Sequence, residues 1–333
     1  MAAALPRIVW HMDEPAGFAL CNYFVSEMAR EAGVPVVLSG LGGDELFAGY
    51  ERHRVLMERE RLFDRFARLP SFTRGPFAQR LAERLPVPRA GAFVRQAAIG
   101  LAERNAGYKF VATHAERLDL YTPALAEICR TARTEALVLP HLDAGAGAVD
   151  AVLRADLHTF LPNDLLRHMD TLSMAFSIEA RVPILDHELV ELAARMPAEH
   201  KIREGELKAV LKDAVADLVP ESALRRAKQG FNFPMHKWMN DSLRPIVDAA
   251  LHPDVVAKRG LFRPEAVEAL VAAFRAGSSG SDPMAWWIPQ IRVWSLVVLE
   301  LWMRLYLDHP SADSAPDCST EELLAAAPEA VLS

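Results

Sequence analysis

Cysteine is scarce in this chain of 333 residues, which contains only Cys21, Cys129 and Cys318. Three cysteines that lie far apart do not fit a disulfide scaffold or a Cys-rich zinc site. The eleven histidines show no HExxH or comparable spacing, so a metal site built on histidine is not expected. This cysteine content is typical of a protein of the reducing cytoplasm.

Long apolar runs and an excess of positive charge are also missing. The most apolar stretch, residues 293–307, is interrupted by Glu300 and Arg304, and it is shorter than the roughly 20 apolar residues that a membrane span needs. The N-terminal residues are too polar for a secretory signal. The 37 basic and 44 acidic side chains give a net charge of −7, which argues against a general nucleic-acid binder. The sequence therefore predicts a cytoplasmic protein with neither a membrane nor a nucleic acid as its partner.

Strand-forming segments are rare as well. Residues 34–39 (VPVVLS) are the best candidate, because a short β-branched run bounded by glycines is typical of a strand buried on both faces of a parallel sheet. Residues 6–10 (PRIVW) are a weaker candidate. We therefore predict an α/β fold, a doubly wound, Rossmann-like parallel sheet that is incomplete, with a predominantly helical C-terminal part.

Helical periodicity dominates the rest of the chain. Phe24, Met28 and Ala32 share a helical face before a stop at Gly33. Leucines at every fourth residue from position 153 predict another helix, which Pro162 must kink or restart. Further helices are expected at residues 52–70, 186–196 with Asp186 as N-cap, 206–219 and 286–307.

These patterns divide the chain into four parts. Residues 1–60 are expected to form a partial nucleotide-binding α/β segment, and residues 61–145 a helical insertion. Residues 146–308 form a second helical part, and the composition of residues 309–333, rich in Ala, Ser, Pro and Glu, predicts a flexible tail.

The densest functional signal is residues 39–50, which read SGLGGDELFAGY. A strand that ends in a glycine-rich turn before a helix leaves free N–H groups and a positive helix terminus, where phosphate can bind. No lysine follows the glycines, so this is not the GxxxxGK[ST] loop. Asp44 and Glu45 instead indicate a Mg²⁺ ion shared with a nucleotide, because Mg²⁺ takes one or two carboxylates together with phosphate oxygens. The alternative is that the two carboxylates only cap the helix.

Two further stretches contain candidate residues. Residues 224–234 (LRRAKQGFNFP) combine three cations with glycine, phenylalanine and proline. They predict either a solvated basic turn or an anchored loop in which Lys228 neutralises the charge of a departing pyrophosphate. In residues 170–186, Glu179 and Arg181 lie among apolar neighbours, which favours a buried ion pair over contact with a substrate.

Together, these stretches resemble the synthetase domain of glutamine-dependent asparagine synthetases. The resemblance includes residues 5–10 (LPRIVW), 13–15 (DEP), 37–50 (VLSGLGGDELFAGY), 225–234 (RRAKQGFNFP) and 294–302 (WSLVVLELW). It is specific, because several separate motifs occur in the same order over roughly residues 5–305.

The resemblance implies a PP-loop ATPase-like fold and an ATP-dependent ligase of asparagine biosynthesis. In this amidotransferase family, the side-chain carboxylate of aspartate attacks the α-phosphate of ATP, pyrophosphate leaves, and ammonia derived from glutamine displaces AMP. The resemblance also implies roles for individual residues: Asp44 beside Mg²⁺ and pyrophosphate, Lys228 stabilising the charge of adenylation, and Ser39, Gly40, Leu41, Gly42, Gly43 and Glu45 binding the nucleotide.

Three departures from the family pattern qualify these expectations. Ala2 follows Met1 where the family has a catalytic cysteine, and these 333 residues are expected not to include the glutaminase half. The SGGxDS loop that grips pyrophosphate is also absent, and Leu41 stands where many asparagine synthetases have an acidic residue. We therefore expect a fragment of a synthetase, which a separate N-terminal polypeptide could complete. The alternatives are a related ligase for another substrate and a non-catalytic remnant that acts as an interaction module.

Overall fold

The computed structural model describes residues 1–16, 20–68, 70, 94, 97, 101, 112–142, 147–226, 234–277, 283–308 and 314–332. These residues form a mostly helical α/β arrangement with a small parallel sheet. The helices are α1 Leu5–Met12, α2 Leu20–Glu31, α3 Gly43–Phe47, α4 Glu51–Ala67, α5 His114–Leu120, α6 Pro123–Cys129, α7 Ala148–His158, α8 Arg167–Met174, α9 His187–Arg195, α10 Ala198–Lys201, α11 Ala209–Ala214, α12 Glu221–Leu224, α13 Met235–Asn240, α14 Arg244–Ala250, α15 Pro253–Arg259, α16 Pro264–Ala276, α17 Pro283–Met303 and α18 Thr320–Ala325. The strands are β1 Val36–Leu38, β2 Glu179–Arg181, β3 Ile202–Arg203 and β4 Glu206–Leu207. Short 3₁₀ turns lie at Ala2–Ala4, Thr134–Leu137, Leu139–His141 and Pro183–Leu185, and π-helical turns at Leu161–Leu166 and Arg304–Asp308.

The largest apolar core is built around α17. Trp294, Val297 and Leu301 of this helix are buried, and α1, α14 and α16 pack against them in one cluster. The buried helix predicted at residues 286–307 is thereby confirmed. Within the described ranges, no helix has both the length and the apolar content that crossing a membrane needs.

Strands β1 and β2 form a two-stranded parallel sheet, in which Val36 lies opposite Glu179 and Leu38 opposite Arg181. The parallel strand predicted at residues 34–39 is confirmed, but its expected burial on both faces is wrong. Leu38 is 74% exposed, because a sheet of two strands in the described part of the chain offers this side chain little to pack against.

Residues 6–10, the weaker strand candidate, belong to α1 instead. Leu5, Ile8, Val9 and Met12 recur at intervals of three and four residues, and all four are buried. This helical period outweighs the β-branched composition of the short segment.

The helix predicted near residue 20 is confirmed as α2, and Gly33 beyond its end has φ +73°, the left-handed conformation of a helix stop. The predicted apolar face is wrong, because Met28 is exposed whereas Tyr23 is buried. The Tyr23 ring packs edge-on against Phe176 with centroids 4.7 Å apart, which shows the face that α2 turns to the core.

The helix predicted at residues 206–219 is only partly correct. Its first residues form β4, which pairs antiparallel with β3, and α11 begins at Ala209. Lys208 lies between them with φ +57°, a left-handed conformation that a continuous right-handed helix excludes.

The C-terminal segment also differs from the flexible tail that its composition predicts. Ser319 and Glu322 cap the start of α18 reciprocally, which stabilises a helix end. Leu323 and Leu324 of this helix are buried in the main core, so apolar side chains anchor the segment.

Other helices agree with the sequence. The helix predicted at residues 52–70 is α4, and Asp186 caps α9 by accepting from the Glu188 N–H at 2.9 Å. Pro162 restarts the helical path in the first turn of the π-helical segment, since it has no N–H to continue the preceding hydrogen bonds. Much of the predicted insertion, including residues 71–93 and 102–111, lies outside the described residues.

Candidate functional site

The glycine-rich turn connects β1 to α3 as the sequence predicts. The Ser39 N–H donates to the Arg181 carbonyl at 2.8 Å, which continues the pairing with β2, and the Ser39 hydroxyl accepts from the Leu41 N–H at 3.3 Å. Gly42 has φ +87°, and a Cβ atom there would lie 2.3 Å from Leu185 Cδ2. Only glycine therefore fits this position of the turn.

A cation that the sequence analysis missed lies at this turn. Lys208 Nζ is 2.8 Å from Asp44 Oδ1, and these side chains are 29% and 24% exposed. Their spacing in the sequence carries no signal, because only the packing of α11 against α3 brings them together. The pair is a partly exposed anion and cation at the end of the glycine turn.

Gly49 makes the close approach of Asp44 and Lys208 possible. A Cβ atom at position 49 would lie 1.8 Å from Asp44 Oδ1 and 2.1 Å from Lys208 Cε. Ala48, with φ +56°, ends α3 and turns the chain towards α4. A larger residue at position 49 would therefore displace one member of the ion pair.

Glu45, the neighbour of Asp44, points into the interior and is 1% exposed. The Tyr50 hydroxyl donates to Glu45 Oε1 at 2.5 Å. Burial raises the pKa of the Glu45 carboxyl above its ordinary value, and the Asp44 and Asp156 carboxylates add to this effect. Burial and the Glu45 carboxyl likewise raise the pKa of Tyr50. The two predicted carboxylates of the turn thus have opposite surroundings.

Asp156 of α7 joins this region to α4. Arg52 Nη2 donates to Asp156 Oδ2 at 2.9 Å, and His53 Nε2 lies 3.3 Å from the same oxygen. Burial lowers the pKa of the His53 imidazole. The Arg52 guanidinium also lies 4.0 Å from the centre of the Tyr50 ring. We call the five side chains Glu45, Tyr50, Arg52, His53 and Asp156 the buried network.

The stretch of residues 170–186 is brought to the glycine turn through β2 and the residues that follow it. Leu185 packs over Gly42, and Ile184 over Gly43. Glu179 and Arg181 form an ion pair at 2.8 Å, but both side chains are about 60% exposed. The predicted burial of this pair is wrong, because both residues project from the open sheet.

The basic stretch of residues 224–234 is only partly described. Lys228 and the residues after it up to Phe233 lie outside the described residues, so the position of Lys228 opposite the glycine turn stays a prediction. Arg225 pairs with Glu221 at 2.6 Å, and both side chains are largely exposed. This part of the stretch behaves as a solvated basic turn.

Among the described residues, no group of three or more Asp, Glu, His or Cys side chains is arranged to hold a metal ion. A Mg²⁺ ion that arrives with phosphate needs only one or two carboxylates from the protein. Asp44 fits this requirement, because its carboxylate is partly exposed at the turn, whereas that of Glu45 is buried. The turn therefore presents a carboxylate that can share a Mg²⁺ ion with a phosphate group and an ammonium that can bind a phosphate oxygen directly.

Comparison with known proteins extends this picture to most of the chain. The family model described as asparagine synthase matches residues 1–304. Asparagine synthetase [glutamine-hydrolyzing] 1 of Bacillus subtilis is 31% identical over 268 residues, which cover 76% of this chain and 40% of the relative. A putative asparagine synthetase [glutamine-hydrolyzing] of Mycobacterium tuberculosis is 31% identical over 310 residues, which cover 92% of this chain and 45% of the relative.

A fungal relative has a different name. The amidase chyE of Penicillium rubens is 24% identical over 324 residues, which cover 85% of this chain and 44% of the relative. The chain thus spans less than half the length of each of these three relatives.

Proposed function

This chain belongs to the asparagine synthase family, and we propose on that premise that its glycine turn binds ATP in an ATP-dependent, amide-forming ligase. The nucleotide-binding part would follow the doubly wound, PP-loop ATPase-like pattern, which the parallel pairing of β1 with β2 supports. The relatives named as glutamine-hydrolysing asparagine synthetases support aspartate as the first substrate to test.

The proposed reaction has two steps. An oxygen of the substrate carboxylate attacks the α-phosphorus of ATP, the bond from that phosphorus to the bridging oxygen breaks, and pyrophosphate leaves from an acyl-AMP. Ammonia then attacks the carbonyl carbon, and AMP leaves with the oxygen that had joined it to the acyl group. In the family this ammonia comes from glutamine, and a separate N-terminal polypeptide is the proposed source of that activity here.

Each candidate residue has a defined role in this proposal. Ser39 and Gly40 would line the nucleotide, and Asp44 would hold Mg²⁺ together with phosphate oxygens. Bound Mg²⁺ would neutralise phosphate charge. Lys208 balances the Asp44 carboxylate in this structure and would offer its ammonium to the phosphates as they arrive. Lys228 is proposed to stabilise charge during adenylation.

The observation that carries the proposal is the Asp44–Lys208 pair at the end of the glycine turn. Its two side chains are partly exposed, and their approach requires glycine at position 49. A carboxylate that only caps a helix needs no lysine from a distant segment beside it. The pair places one group for a cation and one for an anion at the same turn.

Binding of Mg²⁺·ATP tests this role directly. Asp44→Asn removes the charge without changing the size of the side chain, and it should weaken Mg²⁺·ATP about tenfold or more, since a contact to a charged group contributes roughly 1.5–3 kcal/mol. Isothermal titration calorimetry of the full chain measures the affinity. Glu51→Gln is the matched control, because Glu51 is exposed and pairs with Arg54 on α4. Equal affinity of the Asp44→Asn and wild-type proteins would contradict the proposal.

A ligase for a different carboxylate is the second candidate, which Leu41 favours. An apolar side chain stands here in the turn where many asparagine synthetases have an acidic one, and the match to a protein named as an amidase also points beyond asparagine. ATP–pyrophosphate exchange with a panel of carboxylates separates the candidates, using the chain with and without a complementing N-terminal polypeptide. Exchange that depends on aspartate would exclude the second candidate.

A further inference from the structure

Adjacent carboxylates of the glycine turn lie in opposite surroundings. The Asp44 side chain is 24% exposed and contacts the Lys208 ammonium, whereas Glu45 is 1% exposed and contacts the Tyr50 hydroxyl. Glu45 Oε2 is buried and has no hydrogen-bond partner among the described residues. An ionised carboxylate in such a position would lack compensation for one of its oxygens, so the surroundings favour the neutral acid.

Tyr50 is itself held from several sides. The Arg52 guanidinium lies 4.0 Å from the centre of its ring, and the rings of His53 and Phe160 meet it edge-on at centroid distances of 5.4 and 6.2 Å. The aromatic contacts fix the direction in which the Tyr50 hydroxyl points. Glu45 is therefore tied to a side chain that has little freedom to move.

Asp156 connects α4 to a second helix, α7. Its Oδ2 atom receives the Arg52 guanidinium and lies beside His53, and its side chain is fully buried. Helix α3, which carries Asp44, is thereby linked through Glu45 and Tyr50 to α4 and through Arg52 and His53 to α7. This linkage opposes any rotation of α3 that would move Asp44 from Lys208.

We propose that Glu45 is a positioning residue: paired with Tyr50 in the interior, it fixes α3 so that Asp44 alone presents a carboxylate to a bound group. The inference deepens the proposed function and rests on it for the identity of that group. It assigns to Glu45 a role other than the direct nucleotide contact expected from the sequence.

Amide hydrogen exchange provides a test that needs no ligand. Glu45→Ala removes the contact that ties α3 to the Tyr50 hydroxyl, whereas Glu45→Gln keeps the size of the side chain and an acceptor for that hydroxyl. Amide exchange of residues 40–44 should therefore be about tenfold faster in Glu45→Ala than in the wild type, and close to the wild-type rate in Glu45→Gln.

Tyr50→Phe removes the same hydrogen bond from the other side and keeps the ring that packs against Arg52, His53 and Phe160. If Glu45→Ala fails to fold, Tyr50→Phe replaces it, and amide exchange of residues 40–44 should again be about tenfold faster than in the wild type. Unchanged exchange in these variants would overturn the inference.

Affinity for Mg²⁺·ATP separates positioning from direct contact. We expect Glu45→Gln to weaken binding by no more than about threefold, whereas Asp44→Asn weakens it about tenfold or more. Equal losses in the two variants would identify Glu45 as a ligand and overturn the inference. If the wild type binds no Mg²⁺·ATP, the proposed function fails, and the amide-exchange comparison still decides whether the contact between Glu45 and Tyr50 fixes α3.

Discussion

Two buried clusters of charged side chains in this molecule differ in how their charges are paired. In the C-terminal part, Arg259 donates to both carboxylate oxygens of Glu300 at 2.9 and 3.0 Å and to both of Asp308 at 2.7 Å. In the buried network below the glycine turn, three members have a buried atom without a hydrogen-bond partner among the described residues: Glu45 Oε2, Arg52 Nε and His53 Nδ1.

The surroundings favour charged side chains in the C-terminal cluster and neutral ones in the buried network. Burial would lower the pKa of Arg259, but hydrogen bonds to Asp308 and Glu300 raise it above its ordinary value. In the buried network, burial raises the pKa of Glu45 and lowers that of His53, so neutral forms are favoured. The pairing of one guanidinium with two carboxylates indicates a structural role, whereas shifted groups beside a partly exposed ion pair are typical of a functional site.

Arg259→Met should produce the largest effect on stability. It leaves Arg304 as the one guanidinium beside the buried Glu300 and Asp308 carboxylates among the described residues, and loss of one partner from a buried ion pair costs about 3–5 kcal/mol. Urea denaturation should show this decrease in the free energy of unfolding, while the affinity of the folded protein for Mg²⁺·ATP stays unchanged. Arg225→Met is the control, because its pair with Glu221 is largely exposed, and it should cost less than about 1 kcal/mol. A similar small loss in Arg259→Met would remove the distinction between the clusters.

Gly49→Ala should affect binding of Mg²⁺·ATP as well as stability. The added methyl group would collide with Asp44 Oδ1 and Lys208 Cε, and overpacking costs about 1–3 kcal/mol of stability. Because the collision separates the ion pair, affinity for Mg²⁺·ATP should fall about tenfold. In Gly147→Ala the new Cβ has only an ordinary contact at 3.7 Å, so this control should bind normally. Normal binding by Gly49→Ala would show that the Asp44–Lys208 pair is not part of the nucleotide site.

The sequence predicts the parts of the fold that depend on near neighbours. The glycine turn, the parallel strand β1 and the N-cap of α9 follow from short motifs, and the structure contains all three. The orientation of α2 does not follow, because Tyr23 and Met28 can both belong to an apolar face and only distant packing buries one of them. Local composition likewise cannot reveal that α18 finds the main core.

In the candidate site, too, local motifs predict some features and distant packing determines the others. Asp44 and Glu45 stand in a recognisable motif, but the motif gives them the same environment, whereas the structure exposes one and buries the other. Lys208 carries no motif, and its left-handed backbone interrupts the helix predicted there. A lysine that reaches the turn through tertiary packing could not be found from spacing alone.

His168 combines features of the two clusters, because it is a buried histidine that is paired with carboxylates. It is buried like His53, but its Nε2 lies 2.9 Å from Glu14 Oε1 and its Nδ1 lies 2.9 Å from Asp164 Oδ1; Arg167 approaches the other Glu14 oxygen at 3.4 Å. Burial lowers the pKa of His168, but hydrogen bonds to the Asp164 and Glu14 carboxylates outweigh it and raise the pKa above its ordinary value.

The smallest expected effect is therefore the pH dependence that His168 adds. Its stabilising contribution is fully present below the unfolded-state pKa of about 6.5 and is lost as pH rises through the raised folded-state value. The free energy of unfolding of His168→Gln, measured in urea at several pH values, should fall less steeply than that of the wild type above about pH 6.5. His187→Gln, at a side chain that is 82% exposed, should retain the wild-type slope. Equal pH slopes of the free energy of unfolding for wild type and His168→Gln would show that His168, like His53, stays neutral in the interior. Two carboxylates would then not suffice here to keep the imidazole charged.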